Sequence, residues 1–290
     1  MTIVVTGATG QLGRLVVGRL LERGARADDI VATGRDTARI RDLADQRVQV
    51  RRADYDDPES LRHAFADADR LLLISGSDVG ARVAQHQNVI DAATQARVGL
   101  LAYTSIAKAD HSSVPLAVDH LATERALADS GLPHTLLRNS WYLENYTAQL
   151  PTYVENGAVL GSAGNGRISA ATRADYADAA AAVLLGDGHA GEVYELGGDE
   201  AFTLGELAAQ ISAVTGRQVE YRDLSPDDYI KALVTAGLSE PFARALADSD
   251  IGVARGDLHV TSGDLARLIG RPATAMPRAI QEAATAAGLA

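Results

Sequence analysis

Three glycines near the start of the chain constrain its fold more than any other feature. In "TIVVTGATGQLGRLVVGRLLERG" (2–24) an apolar run leads into Gly7, Gly10 and Gly13, and a helix-like stretch follows. The spacing is G-x-x-G-x-x-G, a variant of the G-x-G-x-x-G loop that links the first strand and first helix of a dinucleotide-binding unit. Each glycine has a distinct use. Gly7 permits the sharp exit from the strand, Gly10 lets backbone approach a pyrophosphate, and Gly13 lets the helix pack closely on the sheet. The helix start then offers unpaired N–H groups and a partial positive charge to phosphate. Gly7, Thr9, Gly10, Gln11, Leu12 and Gly13 are therefore the expected cofactor loop.

The pattern beyond this loop is regular. Strand candidates are 2–6, 30–33, 47–51, 70–75, 98–105 and 134–138, separated by helix-like segments near 11–23, 37–45, 58–66, 80–96 and 117–130. Apolar runs alternating with amphipathic helices predict a Rossmann-type α/β fold, a doubly wound parallel sheet buried on both faces. Asp57 before Pro58 reads as an N-cap and first-turn pair for the third helix. After residue 138 the alternation loosens. "ENGAVLGSAGNGRIS" (155–169) reads as a Gly-rich hairpin and "GEVYELGG" (191–198) as a late strand returning to the sheet. Helices are expected over 203–216, capped by Thr203, and over 225–237, capped by Ser225 with Pro226 in the first turn. The organisation predicted is an NADP-binding domain over 1–150 and a smaller mixed substrate-binding lobe over 151–290.

Composition removes several classes of function. A formal net charge of −11 opposes nucleic-acid binding by counterion release, which needs a basic surface. With no cysteine, disulfides, thiolate catalysis and zinc–sulfur sites are excluded. No apolar stretch approaches the roughly 20 residues that span a bilayer. The histidines lack HExxH or equivalent spacing, so no metal site is expected. The first strand begins at residue 2, so no signal peptide and a cytoplasmic location are expected. The sequence leaves a monomer and a homodimer open.

Cofactor choice turns on the end of the second strand, where an acidic residue would hold the ribose 2′-hydroxyl of NAD. Here "ATGRD" puts Gly34 at that position, followed by Arg35 and Asp36. A guanidinium suits the 2′-phosphate of NADP, so NADPH is expected over NADH. Arg35 as a plain loop charge, or Asp36 in the NAD role, is the competing reading. Asp54 after the third strand is a candidate for the adenine amine or a turn former. Ser75, Gly76 and Ser77 after the fourth strand are candidates for the ribose and pyrophosphate or a plain loop.

The loop and strand pattern resemble the short-chain dehydrogenase/reductase superfamily, whose usual catalytic pair is Tyr-x-x-x-Lys on the helix after the fifth strand. Here that helix reads "PLAVDHLATERAL". Aligning Glu124 with the Glu that often follows puts His120 at the Lys position and Leu116 at the Tyr position, so the pair is absent. Tyr103, on the preceding strand, does not replace it by position. This departure is similar to the atypical NmrA-like branch. "VGARVAQHQNVIDAA", "LADSGLPHTLLRNSWYLENY", "ATRADYADAAA", "VYELGGD" and "LADSDIGVARGDL" resemble, over essentially the whole chain, the bacterial NAD(P)H:quinone oxidoreductases of the quinone oxidoreductase 2 type. The resemblance implies hydride transfer from NADPH to a quinone without flavin or metal. The alternative is a non-catalytic NADP(H)-binding redox sensor that regulates a protein partner, which equally lacks the pair.

Loss of the pair is tolerable for a quinone. Ketone reduction develops an alkoxide, whereas quinone reduction develops a phenolate-like anion with a conjugate acid nearer pKa ~10, which water can protonate. No catalytic residue is assigned. Asn139 and Ser140, after the sixth strand, are candidates for cofactor contact, and Trp141 and Tyr142 for a flat wall or for packing between lobes. Tyr146 suits either role. Arg173 could polarise a quinone oxygen or pair with Asp175 or Glu144. His120 is a candidate weak acid or a packed histidine.

Overall fold

The computed structural model describes residues 1–78 and 80–290. Its first half alternates as the hydrophobic pattern predicts: β1 (Ile3–Val5), α1 (Gln11–Glu22), β2 (Ile30–Gly34), α2 (Arg41–Asp45), β3 (Gln49–Arg52), α3 (Pro58–Ala64), β4 (Arg70–Leu73), α4 (Arg82–Ala96), β5 (Leu100–Ile106), α5 (Leu116–Asp129) and β6 (His134–Asn139). Local chemistry sets several ends. Asp57 accepts the Ser60 amide at 3.2 Å, with Pro58 in the first turn of α3. β3 starts two residues later than the expected 47, because Arg47 takes φ +70° and its amide closes the α2 turn onto Ala44.

The remaining elements are α6 (Glu144–Thr147), α7 (Leu150–Asn156), β7 (Ala158–Gly161), α8 (Arg173–Leu185), β8 (Val193–Leu196), α9 (Leu204–Thr215), β9 (Glu220–Asp223), α10 (Pro226–Thr235), α11 (Glu240–Ala254), α12 (Asp264–Ile269) and α13 (Met276–Ala286). β8 is the expected late strand and pairs in parallel with β6. The main sheet is parallel throughout, in the order β3-β2-β1-β4-β5-β6-β8. Thr203 caps α9 through a reciprocal pair with Glu206, and Ser225 caps α10.

The expected hairpin over 155–169 is not formed. β7 pairs in parallel with β9, and Ile168, beyond the turn, bridges antiparallel to Phe202. The glycines supply the turn, with Gly164 at φ +53°, but each flank finds a distant partner instead of its neighbour.

Both sheet faces are covered. Ile3 and Val5 of β1 join a core with α1, α8 and α12, while Val4 joins a core with α3, α4 and α5. The Ala-rich α8 packs along α1, and Arg23 reaches Asp178 at 2.6 Å across that contact. A third core, around Ile168, Phe202, Leu207, Ile211 and Ile280, fills the C-terminal lobe. Among the described residues no helix is long and apolar enough to cross a membrane.

Candidate functional site

The glycine loop leaves β1 with Gly7 at φ +61°, a conformation that disfavours a side chain. The Gly10 amide donates back to the Gly7 carbonyl at 2.9 Å. A Cβ on Gly13 would stand 2.4 Å from that same carbonyl oxygen, so the helix can sit on the loop only without one. The first helical hydrogen bond of α1 runs from the Arg14 amide to the Gly10 carbonyl. The amides of Gln11, Leu12 and Gly13 precede it and have no helical acceptor. No acidic residue occupies the first turn, so no carboxylate competes for that positive end.

The end of β2 shows why Gly34 stands at the position usually acidic in NAD enzymes. A Cβ there would lie 2.5 Å from the Thr9 methyl, so Thr9 and any larger residue at 34 exclude each other. Arg35 follows, exposed, in a shallow depression it shares with Asp36, Thr37 and Arg41. Asp36, also exposed, is used locally: its carboxylate accepts the Ala38 amide at 3.1 Å to cap a short helical turn. Among the described residues Arg35 has no ion-pair partner, whereas nearby Arg14 is bound to Asp42.

Asp54 serves its own turn, accepting the Asp56 amide at 3.2 Å and facing Arg52 at 3.5 Å. Ser75, Gly76 and Ser77 lie just past β4, and α4 grips their backbone. The Gly76 amide donates to His86 Nε2 at 3.0 Å, and Arg82 Nε donates to the Gly76 carbonyl at 2.6 Å. Because Nε2 accepts, the His86 proton sits on Nδ1 and is donated to Thr123 Oγ1 at 2.9 Å. Burial, with the Arg82 charge nearby, pulls His86 down to about 4, which keeps it in this neutral form. The Ser75 amide donates to Thr104 Oγ1 at 3.0 Å.

At the far end, Asn139 closes β6 and is buried, and among the described residues its Oδ1 has no hydrogen-bond partner. Ser140 is committed to the fold: its amide donates to Leu196 and its hydroxyl to the Leu258 carbonyl at 2.9 Å. Trp141 and Tyr142 do not share one wall. Trp141 packs with Tyr146 and Leu116 on the C-terminal core, while Tyr142 packs on the sheet side, edge-on to Tyr176 at 5.4 Å. The Arg173 guanidinium lies 4.5 Å above the Tyr142 ring, bonds Asn145 at 3.0 Å and faces Glu144 at 3.6 Å. Of its two expected carboxylate partners, Glu144 is the one it meets; Asp175 is taken by Thr172 and Arg271.

His120 is packed, 6% exposed, and shares a 2.8 Å hydrogen bond between Nδ1 and the Tyr103 hydroxyl. Burial, with help from Arg82 and His86, pulls it down to about 3, so it is no acid at neutral pH. Tyr103→Phe should therefore cost about 1–3 kcal/mol of stability by stranding a buried nitrogen. Dinucleotide affinity should stay within twofold. Urea unfolding and a binding titration check both; unchanged stability would refute the structural role.

Tyr55 and His86 escaped the sequence reading. Tyr55 joins the Thr6 hydroxyl at 2.5 Å and the Ile74 carbonyl at 2.8 Å, tying the ends of β1 and β4 together beneath the loop. Nothing in their neighbours along the chain marks either residue, because both act across strands.

A family model described as NAD(P)H-binding matches residues 7–186. The chain is similar to quinone oxidoreductase 2 of Escherichia coli strain K12, 49% identical over 278 residues, 96% of this chain and 97% of that protein. It is similar to the crystal structure of the NADPH-dependent quinone oxidoreductase from Escherichia coli complexed with NADPH, with TM-score 0.95 and 48% identity over 97% and 99% of the two chains. It also resembles Citrobacter sp. triphenylmethane reductase complexed with NADP(H), with TM-score 0.93 and 40% identity over 97% and 100%.

Proposed function

We propose, on the premise that this chain belongs to the NAD(P)H-binding family in its NmrA-like form, that it reduces quinones with NADPH and acts in the cytoplasm. One observation carries the reading. Identity to the Escherichia coli quinone oxidoreductase runs through the C-terminal lobe as well as the nucleotide-binding half. The groups present fit the cofactor: among the described residues, three amide donors at the α1 start without a helical acceptor, Arg35 without an ion-pair partner, and one unpartnered acceptor, Asn139 Oδ1.

NADPH, when bound, supplies the hydride. The chain's own residues bind and orient. The amides of Gln11, Leu12 and Gly13 would hold the pyrophosphate, with Gly7, Thr9 and Gly10 shaping the loop. Arg35 would hold the 2′-phosphate, with Asp54 at the adenine and Ser75, Gly76 and Ser77 along the ribose. Asn139 would meet the nicotinamide carboxamide. Ser140 contributes by fixing the end of β6. A quinone would lie beyond the end of β6, where Trp141 and Tyr146 pack on the C-terminal core and Tyr142, under Arg173, packs on the sheet core. Holding the quinone in place supplies most of the catalysis, since its reduced oxygen can take a proton from water.

The test is NADPH oxidation at 340 nm with benzoquinones and naphthoquinones, using metal-free and flavin-free protein. Turnover above the protein-free rate is expected. NADPH binding without turnover would overturn the reading in favour of a sensor. Arg35→Ala should weaken NADPH about 10–100-fold, the value of a charge-assisted phosphate contact, and NADH less than threefold. Equal losses in the two KM values would remove Arg35 from the 2′-phosphate.

A further inference from the structure

The buried stripe of α4 changes character along its length. Arg82, Gln85 and His86 fill its first turns, and Val89, Ile90, Ala92 and Ala93 continue it. Buried polar side chains are costly unless each finds a partner. These three find theirs on two loops, one after β3 and one after β4. Arg82 and His86 hold the carbonyl and the amide of Gly76, at 2.6 and 3.0 Å. Arg82 also faces Asp119 on α5 at 3.3 Å. Gln85 Nε2 donates to Asp56 at 2.9 Å and to Asp78 at 3.2 Å, one carboxylate from each loop. Asn88 adds a bond to the Tyr55 carbonyl at 2.8 Å. The grip is close: a Cβ on Gly76 would stand 3.3 Å from Gln85 Oε1. The pairings of β4 end at Leu72 on one side and Leu73 on the other, so side chains, not the sheet, hold Gly76.

His86 can accept the Gly76 amide in one form only, and α5 imposes that form. Thr123 donates its own proton to the Asp119 carbonyl at 2.9 Å, so its oxygen takes the Nδ1–H of His86 and leaves Nε2 bare. The imidazole is fully buried, between the rings of Tyr55 and Tyr103 at centroid distances of 6.2 and 5.5 Å. A glycine between two serines has many conformations open to it. If only some of them fit a ligand, apparent affinity falls by the fraction that does. We propose that His86 is a positioning residue for the dinucleotide, holding the loop after β4 in its binding form through the Gly76 amide. Arg82 secures the other side of Gly76, and Gln85 ties that loop to the one after β3. His86 acts through Gly76 and not on the cofactor itself. The inference rests on the reading above that these loops meet the adenine and ribose of NADPH.

The test titrates the full chain with NADP+ by calorimetry at neutral pH and follows hydrogen exchange of the Gly76 amide by NMR. His86→Leu, which fills the space but accepts nothing, should weaken NADP+ about tenfold or more and speed exchange at Gly76. His86→Gln returns an acceptor at the reach of Nε2 and should bind within about threefold of the wild type. Tyr103→Phe controls for damage alone. It breaks a bond in the same buried cluster and should lower stability while leaving affinity within about twofold. A merely structural His86 would lower stability without separating the Leu and Gln variants in affinity. If His86→Leu fails to fold, Arg82→Met, which frees the Gly76 carbonyl instead, is judged by the same loss. NADP+ affinity equal to the wild type in the variant so judged, or a Gln variant as weak as the Leu variant, overturns the positioning role alone. A wild type that binds no NADP+ overturns the cofactor reading, and this inference with it.

Discussion

Gly13→Ala is expected to lower NADPH affinity at least a hundredfold. Helix propensity argues the other way, since alanine improves on glycine in a helix by about 1 kcal/mol. Contact decides the sign. The added Cβ would lie 2.4 Å from the Gly7 carbonyl oxygen and 2.8 Å from Ala8 Cα, both rigid backbone atoms. The helix must back away from the loop, which costs about 1–3 kcal/mol as overpacking. It also carries the free amides of Gln11, Leu12 and Gly13 off the phosphate position. NADPH fluorescence titration and urea unfolding read the two effects. Near-normal affinity would show that α1 does not present those amides to the cofactor.

The largest loss of stability is expected from Arg138→Met. Arg138 on β6 binds Glu124 on α5 through two contacts, at 2.7 and 3.0 Å, and reaches Asp110 at 2.9 Å and Glu195 on β8 at 3.1 Å. The Arg138 and Glu124 side chains are 10% and 5% exposed. Ser105 also donates to Glu124, at 2.6 Å. Removing the guanidinium leaves a buried carboxylate uncompensated, at about 3–5 kcal/mol. For a chain of this size that corresponds to a fall in Tm of roughly 10 °C. Adding Glu124→Gln should recover more than half of it, because the stranded charge is gone. A loss under about 1 kcal/mol in Arg138→Met, by urea unfolding, would mean the network is not buried as it stands here.

The Glu124 network also marks a limit of reading along the chain. The sequence set Glu124 beside the missing Tyr and Lys by spacing, yet its partner is Arg138, fourteen residues on and across the sheet. Hydrophobic periodicity placed the first six strands and the helices between them within a few residues. Those elements answer to patterns within a few residues, and a parallel sheet buried on both faces tolerates little else. The glycine loop was legible for the same reason. Its conformation is set by backbone needs at Gly7, Gly10 and Gly13, all within one turn.

The C-terminal half was less legible. α8 lacks an amphipathic stripe because α1, α12 and the sheet bury it from several sides, and β7 looked like half a hairpin while its partner, β9, lies some sixty residues on. At the candidate site, the residue types were readable but their surroundings were not. His120 turned out to be held by Tyr103, Ser140 by Leu258, and Arg173 by Glu144 and Asn145. The sequence alone determined the parallel sheet and the glycine turn after its first strand, since both depend on short-range spacing and on the chemistry of single residues. Only the tertiary structure decided which polar groups are spent on the fold and which, among the described residues, stay unpartnered, as the Arg35 guanidinium and Asn139 Oδ1 do. Partnership between polar groups depends on distance in space, and chain spacing does not report it.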